Sequence, residues 1–113
     1  MARADRLERL DARREEVEAE YRDALIAALR VTAGGRWGLF GHQNDRVTRA
    51  RIAPTLDMLN ELAEEIDAMR ETLGIEPFDL HRQLLAARGP VSSDAAGEPK
   101  QARAWLERLG VAV

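Results

Sequence analysis

The stretch Asp5 to Val31, DRLERLDARREEVEAEYRDALIAALRV, has no proline or glycine and sets Leu7, Leu10, Arg14, Val17, Tyr21, Ala24, Ala28 and Val31 at alternating steps of three and four. That spacing gathers the side chains on one side of an α-helix, and it predicts a single long helix with a heptad seam. Leu25, Ile26 and Leu29 widen the stripe toward the C-terminal end. The second half is therefore expected to face a core, and the first half to carry a narrower apolar strip. Asp5 followed by Glu8 resembles a capping box at the start, and Gly34 offers the left-handed residue that ends many helices. Asp5 with Arg9 and Glu18 with Arg22 stand four apart, a spacing worth a few tenths of a kcal/mol per ion pair at a helix surface.

A helix of roughly 28 residues is about 42 Å long, whereas a compact domain of this size has a radius of gyration near 13 Å. Such a helix overhangs a globular monomer. A homodimer through Leu7, Leu10, Val17 and Tyr21 is the expected cover for the overhang; a bent or frayed first turn on a monomer is the other reading.

The downstream chain repeats the pattern. Ile52, Leu56, Leu59, Ala63, Ile66 and Leu73 hold heptad spacing, with Leu62 and Met69 broadening the face, so Pro54 to Leu73 reads as a core helix. Arg46 onward is expected to be helical too, capped by Asn44 or Asp45. Because proline is costly inside a helix, Pro54 predicts either a start near Ala53 or a kink. The opposite face stacks Asp57, Glu61 and Glu65, which calls for neutralising arginines from the first helix or from Arg46 to Arg51. Gly74-Ile75 reads as a glycine cap with its apolar follower. Pro77 then opens a third helix carrying Phe78, His81, Leu84 and Leu85, and Gly89-Pro90 stops it. Residues 89–99 form the only credible mobile loop. A short last helix from Pro99 to Leu109 carries Ala102, Trp105, Leu106 and Leu109, with Gly110 as cap.

The expected fold is all-α: one helical domain over residues 1–113, with the long N-terminal helix and the second helix in an antiparallel hairpin and two shorter helices completing a small bundle. This order, with Leu73-Gly74-Ile75-Glu76-Pro77 as the link into the third helix, resembles the all-helical chorismate mutases. Those enzymes need a lysine after the first helix, where this chain has Arg30 and Arg36, so no catalytic residue is carried over.

Composition narrows the function classes. Leu, Ile, Val and Phe make up about 23% of the 113 residues, enough for one folded core. There is no cysteine, which excludes disulfides and thiolate metal sites. No apolar run reaches the roughly 18 residues of a membrane span, and the N-terminus lacks a signal core, so a soluble, cytoplasmic protein is expected. The net charge of −3 gives no general attraction to nucleic acid. Its distribution is uneven. Arg30 to Arg51 contains five arginines against Asp45 alone, a local +4, while Asp57 to Asp79 has eight acids against Arg70 alone, a local −7. Sixteen of the 17 basic residues are arginine, consistent with a GC-rich bacterial genome.

Between the first two helices lies Gly34 to Asp45, Gly-Gly-Arg-Trp-Gly-Leu-Phe-Gly-His-Gln-Asn-Asp, with four of the eight glycines. It lacks the Gly-Lys-Ser/Thr of a phosphate loop, and the only lysine is Lys100. Arg36 and the free amides opening the next helix could still converge on an anion. Two other readings compete: Trp37, Leu39 and Phe40 plug the core, or Trp37 and Phe40, flanked by Arg36 and His42, form an exposed recognition anchor. His42 and His81 stand far apart with no metal-ligand spacing, and no metal or cofactor site is assigned. The expected function is that of a small non-enzymatic helical adaptor or regulatory protein. Its candidate partner-binding residues are Arg36, Trp37, Phe40, His42, Asn44, Asp45, Arg46 and Arg49. The alternative is a small anion- or nucleotide-binding protein or enzyme built on the same loop, with Arg36, His42, Asp45 and Arg49 as its polar groups.

Overall fold

The long stripe forms one unbroken helix, α1 (Ala2–Ala33), in the computed structural model, which describes residues 2–35, 38–41, 46–88 and 98–111. The helix begins three residues ahead of Asp5, so Asp5 sits in the first turn, where its charge suits the helix dipole, and is not the N-cap. At the other end the left-handed residue is Gly35 (φ 77°), one position later than expected; Gly34 N–H still reaches the Arg30 carbonyl at 3.0 Å.

The second helix, α2 (Arg46–Leu73), continues through Pro54 and does not start near Ala53. Ala50 and Pro54 are both exposed. The Ala50 carbonyl that the proline leaves without a partner therefore faces water, which lowers the usual interior cost of about 3 kcal/mol. Ile52, Leu59, Leu62, Ala63, Ile66 and Met69 are buried along its other side. Gly74 (φ 70°) ends it, its N–H reaching the Glu71 carbonyl while Ile75 N–H reaches Arg70, both at 3.1 Å.

Two short helices complete an all-helical bundle: α3 (Asp79–Ala87) and α4 (Glu98–Arg108). Pro77 lies just before α3 rather than in it, and the Phe78 N–H is capped by the Asp67 carboxylate of α2 at 2.8 Å. α1 packs against α2 and α4, and α3 lies along α2. α4 runs antiparallel to α1, because the Leu109 carbonyl meets Arg22 at 2.6 Å while Glu98 meets the loop beyond the end of α1. Arg22 is therefore occupied there and does not pair with Glu18.

Glu18 instead joins α1 to α2. It accepts from Arg70 Nη2 at 2.7 Å and Nε at 3.2 Å, and from Arg14 on its own helix. Burial by itself would raise the Glu18 carboxyl, but hydrogen bonds from Arg70 and then Arg14 outweigh it and hold the group below its ordinary range. Arg13 reaches Glu65 at 3.3 Å, one of the expected neutralising contacts to the acidic face.

The molecule measures 57 × 29 × 20 Å with a radius of gyration of 16.1 Å, longer than a compact chain of its size. Two of the four residues of the expected dimer seam are taken up by packing within the chain. Val17 and Tyr21 are wholly buried within the chain, whereas Leu10 is half-buried and Leu7 is 39% exposed. From Val17 to Leu29 the apolar seam of α1 is covered within the chain. Among the described residues no helix is long and apolar enough to cross a membrane.

Candidate functional site

Of the eight residues expected to bind a partner, Arg36, Trp37, His42, Asn44 and Asp45 lie outside the described residues. Phe40 is described, and it is not an exposed anchor: both Leu39 and Phe40 are 0% exposed. The Phe40 ring lies 6.0 Å from that of Trp105 on α4. For Leu39 and Phe40 the core-plug reading holds, while its third residue, Trp37, lies outside the described residues.

Three polar groups, none singled out from the sequence, hold this segment in place. Thr32 Oγ1 accepts from Leu39 N–H at 3.2 Å while donating to the Ala28 carbonyl at 2.9 Å. Arg88 Nε donates to the Leu39 carbonyl at 2.8 Å. Glu98 Oε1, in the first turn of α4, accepts from Phe40 N–H at 2.8 Å. A side chain at Gly38 would occupy the space of that carboxylate, so glycine is needed for the close approach. Replacing Glu98 with glutamine keeps the shape and loses the charge. A charged acceptor outperforms a neutral one by about 1 kcal/mol, and that is the stability loss expected in urea denaturation; no change would mean the bond contributes nothing net.

A second polar cluster lies between α1, α2 and α3. Tyr21 Oη stands 2.7 Å from His81 Nδ1, and His81 Nε2 stands 2.6 Å from Asn60 Oδ1. The amide oxygen of Asn60 only accepts, so Nε2 carries the imidazole proton and Nδ1 accepts from the Tyr21 hydroxyl. Burial pushes the imidazole below its ordinary range, opposed by the charge of Asp67, and burial pushes the Tyr21 phenol well up. Both rings are buried, and Tyr21 packs edge-on against Phe78 at 5.0 Å between centroids. The arrangement orients three helices and keeps both imidazole nitrogens occupied.

The outer side of α2 is at the surface, as are Ile75 and Leu85. Arg46 and Arg49, the other two expected binding residues, are exposed, as is Arg51. Between them the helix presents apolar side chains to solvent: Val47 is 61% exposed and Met58 43%, with Ala50 and Pro54 also exposed. These four recur at i, i+3, i+7 and i+11, which is one stripe of a helix. The spacing was present in the sequence but masked by the stronger stripe of leucines and isoleucines on the other side. A shallow depression of about 460 Å³ lined by Asp67, Glu71, Ile75 and Pro77 lies near the C-terminal end of α2, where Asp67 is already engaged by Phe78. The chain matches no protein-family model, no curated protein and no solved structure.

Proposed function

We propose that this is a small helical interaction protein, an adaptor or regulator that works by presenting a surface and not by catalysis. The observation that carries the reading is the exposed stripe of Val47, Ala50, Pro54 and Met58, flanked on α2 by the exposed Arg46 and Arg51. Apolar side chains bordered by arginine are the composition of recognition surfaces, where desolvated apolar contacts supply affinity and the rim supplies orientation. The groups best suited to acid–base work, His81 and Tyr21, are spent on one another inside the bundle. Recognition thus moves from the glycine-rich loop, whose Phe40 is core, to the helix that follows it.

The test is a Val47→Asp/Met58→Asp double variant. Both positions are exposed, so stability is expected to change by no more than about 0.5 kcal/mol per site. Chemical cross-linking in cell extract, read by mass spectrometry, is expected to show contacts mapping to residues 46–58 in the wild type and lost in the variant. An identical cross-link pattern for the two proteins would overturn the assignment of this face.

A further inference from the structure

We infer that the outer stripe of α2 binds a second copy of this chain, forming a symmetric antiparallel α2–α2 contact centred between Arg51 and Pro54. This rests on the reading of that stripe as the recognition surface and adds the identity of its occupant. The argument is self-complementarity. A two-fold dimer places the same patch against itself in reverse, so residue i meets j and j meets i. Reversing the stripe about its middle lays Val47 over the partner's Met58 and Met58 over the partner's Val47, with the small Ala50 and the flat Pro54 at the crossing. At 1.5 Å per residue, these two apolar contacts stand about 16 Å apart on the helix.

The charges fit the same register. Arg46 and Asp57 lie eleven residues apart on one flank of the stripe, and both are exposed; no ion pair involves either among the described residues. In an antiparallel pair related by a two-fold axis, a flank meets the same flank of its mate. Arg46 therefore faces the partner's Asp57, and Asp57 faces the partner's Arg46. A parallel arrangement would set arginine against arginine. In this register α2 overlaps its mate over residues 46–59, where Asp57 is the one acid and is set at the Arg46 end of the mate.

Arg51 has a place in the same contact. It lies across from the partner's Pro54, the residue that frees the Ala50 carbonyl from the helical ladder. A guanidinium donating to that carbonyl satisfies the one backbone acceptor that the contact would otherwise bury unpaired. A strip of about four turns buries less than roughly 1,200 Å² in total, the small end of specific interfaces, so a dissociation constant in the micromolar range is expected.

The experiment is sedimentation equilibrium on the full chain from about 5 to 500 µM, a range that brackets such an affinity. The expected wild-type mass rises from 12.6 kDa toward twice that value. Arg46→Asp and Asp57→Arg, each confirmed folded by circular dichroism, are each expected to weaken association at least about tenfold, because each homodimer then holds two like-charged contacts. Mixed in equal amounts they are expected to regain the dimer, since both contacts in the heterodimer are then between opposite charges. A wild type that stays monomeric throughout, a dimer indifferent to both single variants, or a mixture that fails to recover would each overturn the inference. A monomeric wild type whose Val47→Asp/Met58→Asp variant still loses its cross-links would remove the second copy and leave the interaction surface standing. A monomer with cross-links unchanged would remove both.

Discussion

Phe40→Ala is expected to lower the free energy of unfolding by about 3 to 5 kcal/mol, the range for removing a fully buried aromatic ring. Phe40 has no solvent exposure and packs beside Trp105, which together with Ala102 and Leu106 forms the buried side of α4. An isolated helix of 11 residues is marginal in water, so α4 depends on this docking surface. The cavity left by the ring thus acts twice, through lost contacts in the loop and through a loosened α4. Urea denaturation followed by circular dichroism gives the measurement. A loss below about 1 kcal/mol would mean that the loop is not part of the cooperative core.

The second large effect lies in the Tyr21, His81 and Asn60 cluster. Tyr21→Phe keeps the ring and its edge-on contact with Phe78 while removing the hydroxyl that donates to His81 Nδ1. Leaving a buried acceptor unpaired costs about 1 to 3 kcal/mol, and the loss should appear at neutral pH. A stability equal to wild type would show that His81 finds another donor.

This cluster also sets a pH dependence. Burial, against the opposing charge of Asp67, lowers the folded-state pKa of His81 below its ordinary value of 6.5, so the unfolded chain binds that proton more readily. Its contribution is complete above about pH 6.5 and is lost as pH falls toward the folded-state value. Glu18 is also lowered, from an ordinary value of 4.5, and its contribution is lost in a second, more acidic range below that value. Both effects weaken the fold on acidification, the His81 loss beginning at the higher pH. His81→Gln is expected to abolish the first loss and leave the second; an unchanged profile would place the first loss elsewhere.

The relation of Glu18 to its partners ties the two helices of the α1–α2 hairpin together. The carboxylate collects Arg14 from its own helix and Arg70 from the other, and Arg70 Nη1 also donates to the Glu76 carbonyl at 2.7 Å beyond the end of α2. One charged cluster therefore fixes the register of the two long helices and the start of the connection to α3. Next to it, Val17, Tyr21 and Leu25 are turned inward and covered. The faces of the hairpin differ as a result: the inner one is saturated, and the outer stripe of α2 is not.

The sequence by itself determined the four helices, the hairpin order and the glycine ends at Gly74 and Gly110, because these depend on contacts within a few residues. A stripe at steps of three and four is read along one helix, and a glycine at φ near 70° to 78° relieves a clash with its own neighbours. Only the tertiary structure decided where the helices stop obeying local rules and which polar groups meet. Pro54 argued locally for a break, but with Pro54 on the solvent side and Ile52 and Leu59 anchored in the core, α2 continues through it. Tyr21 finds His81 across 60 positions, Glu18 finds Arg70 across 52, and Phe40 N–H finds Glu98 across 58. No periodicity encodes such pairs, since each depends on the direction and register in which separate helices pack. The same holds for which apolar residues are exposed. Phe40 has the composition of an anchor and the location of a core residue, while Val47 and Met58 look like core and lie outside, because burial belongs to the packed assembly of helices and not to any one segment of chain.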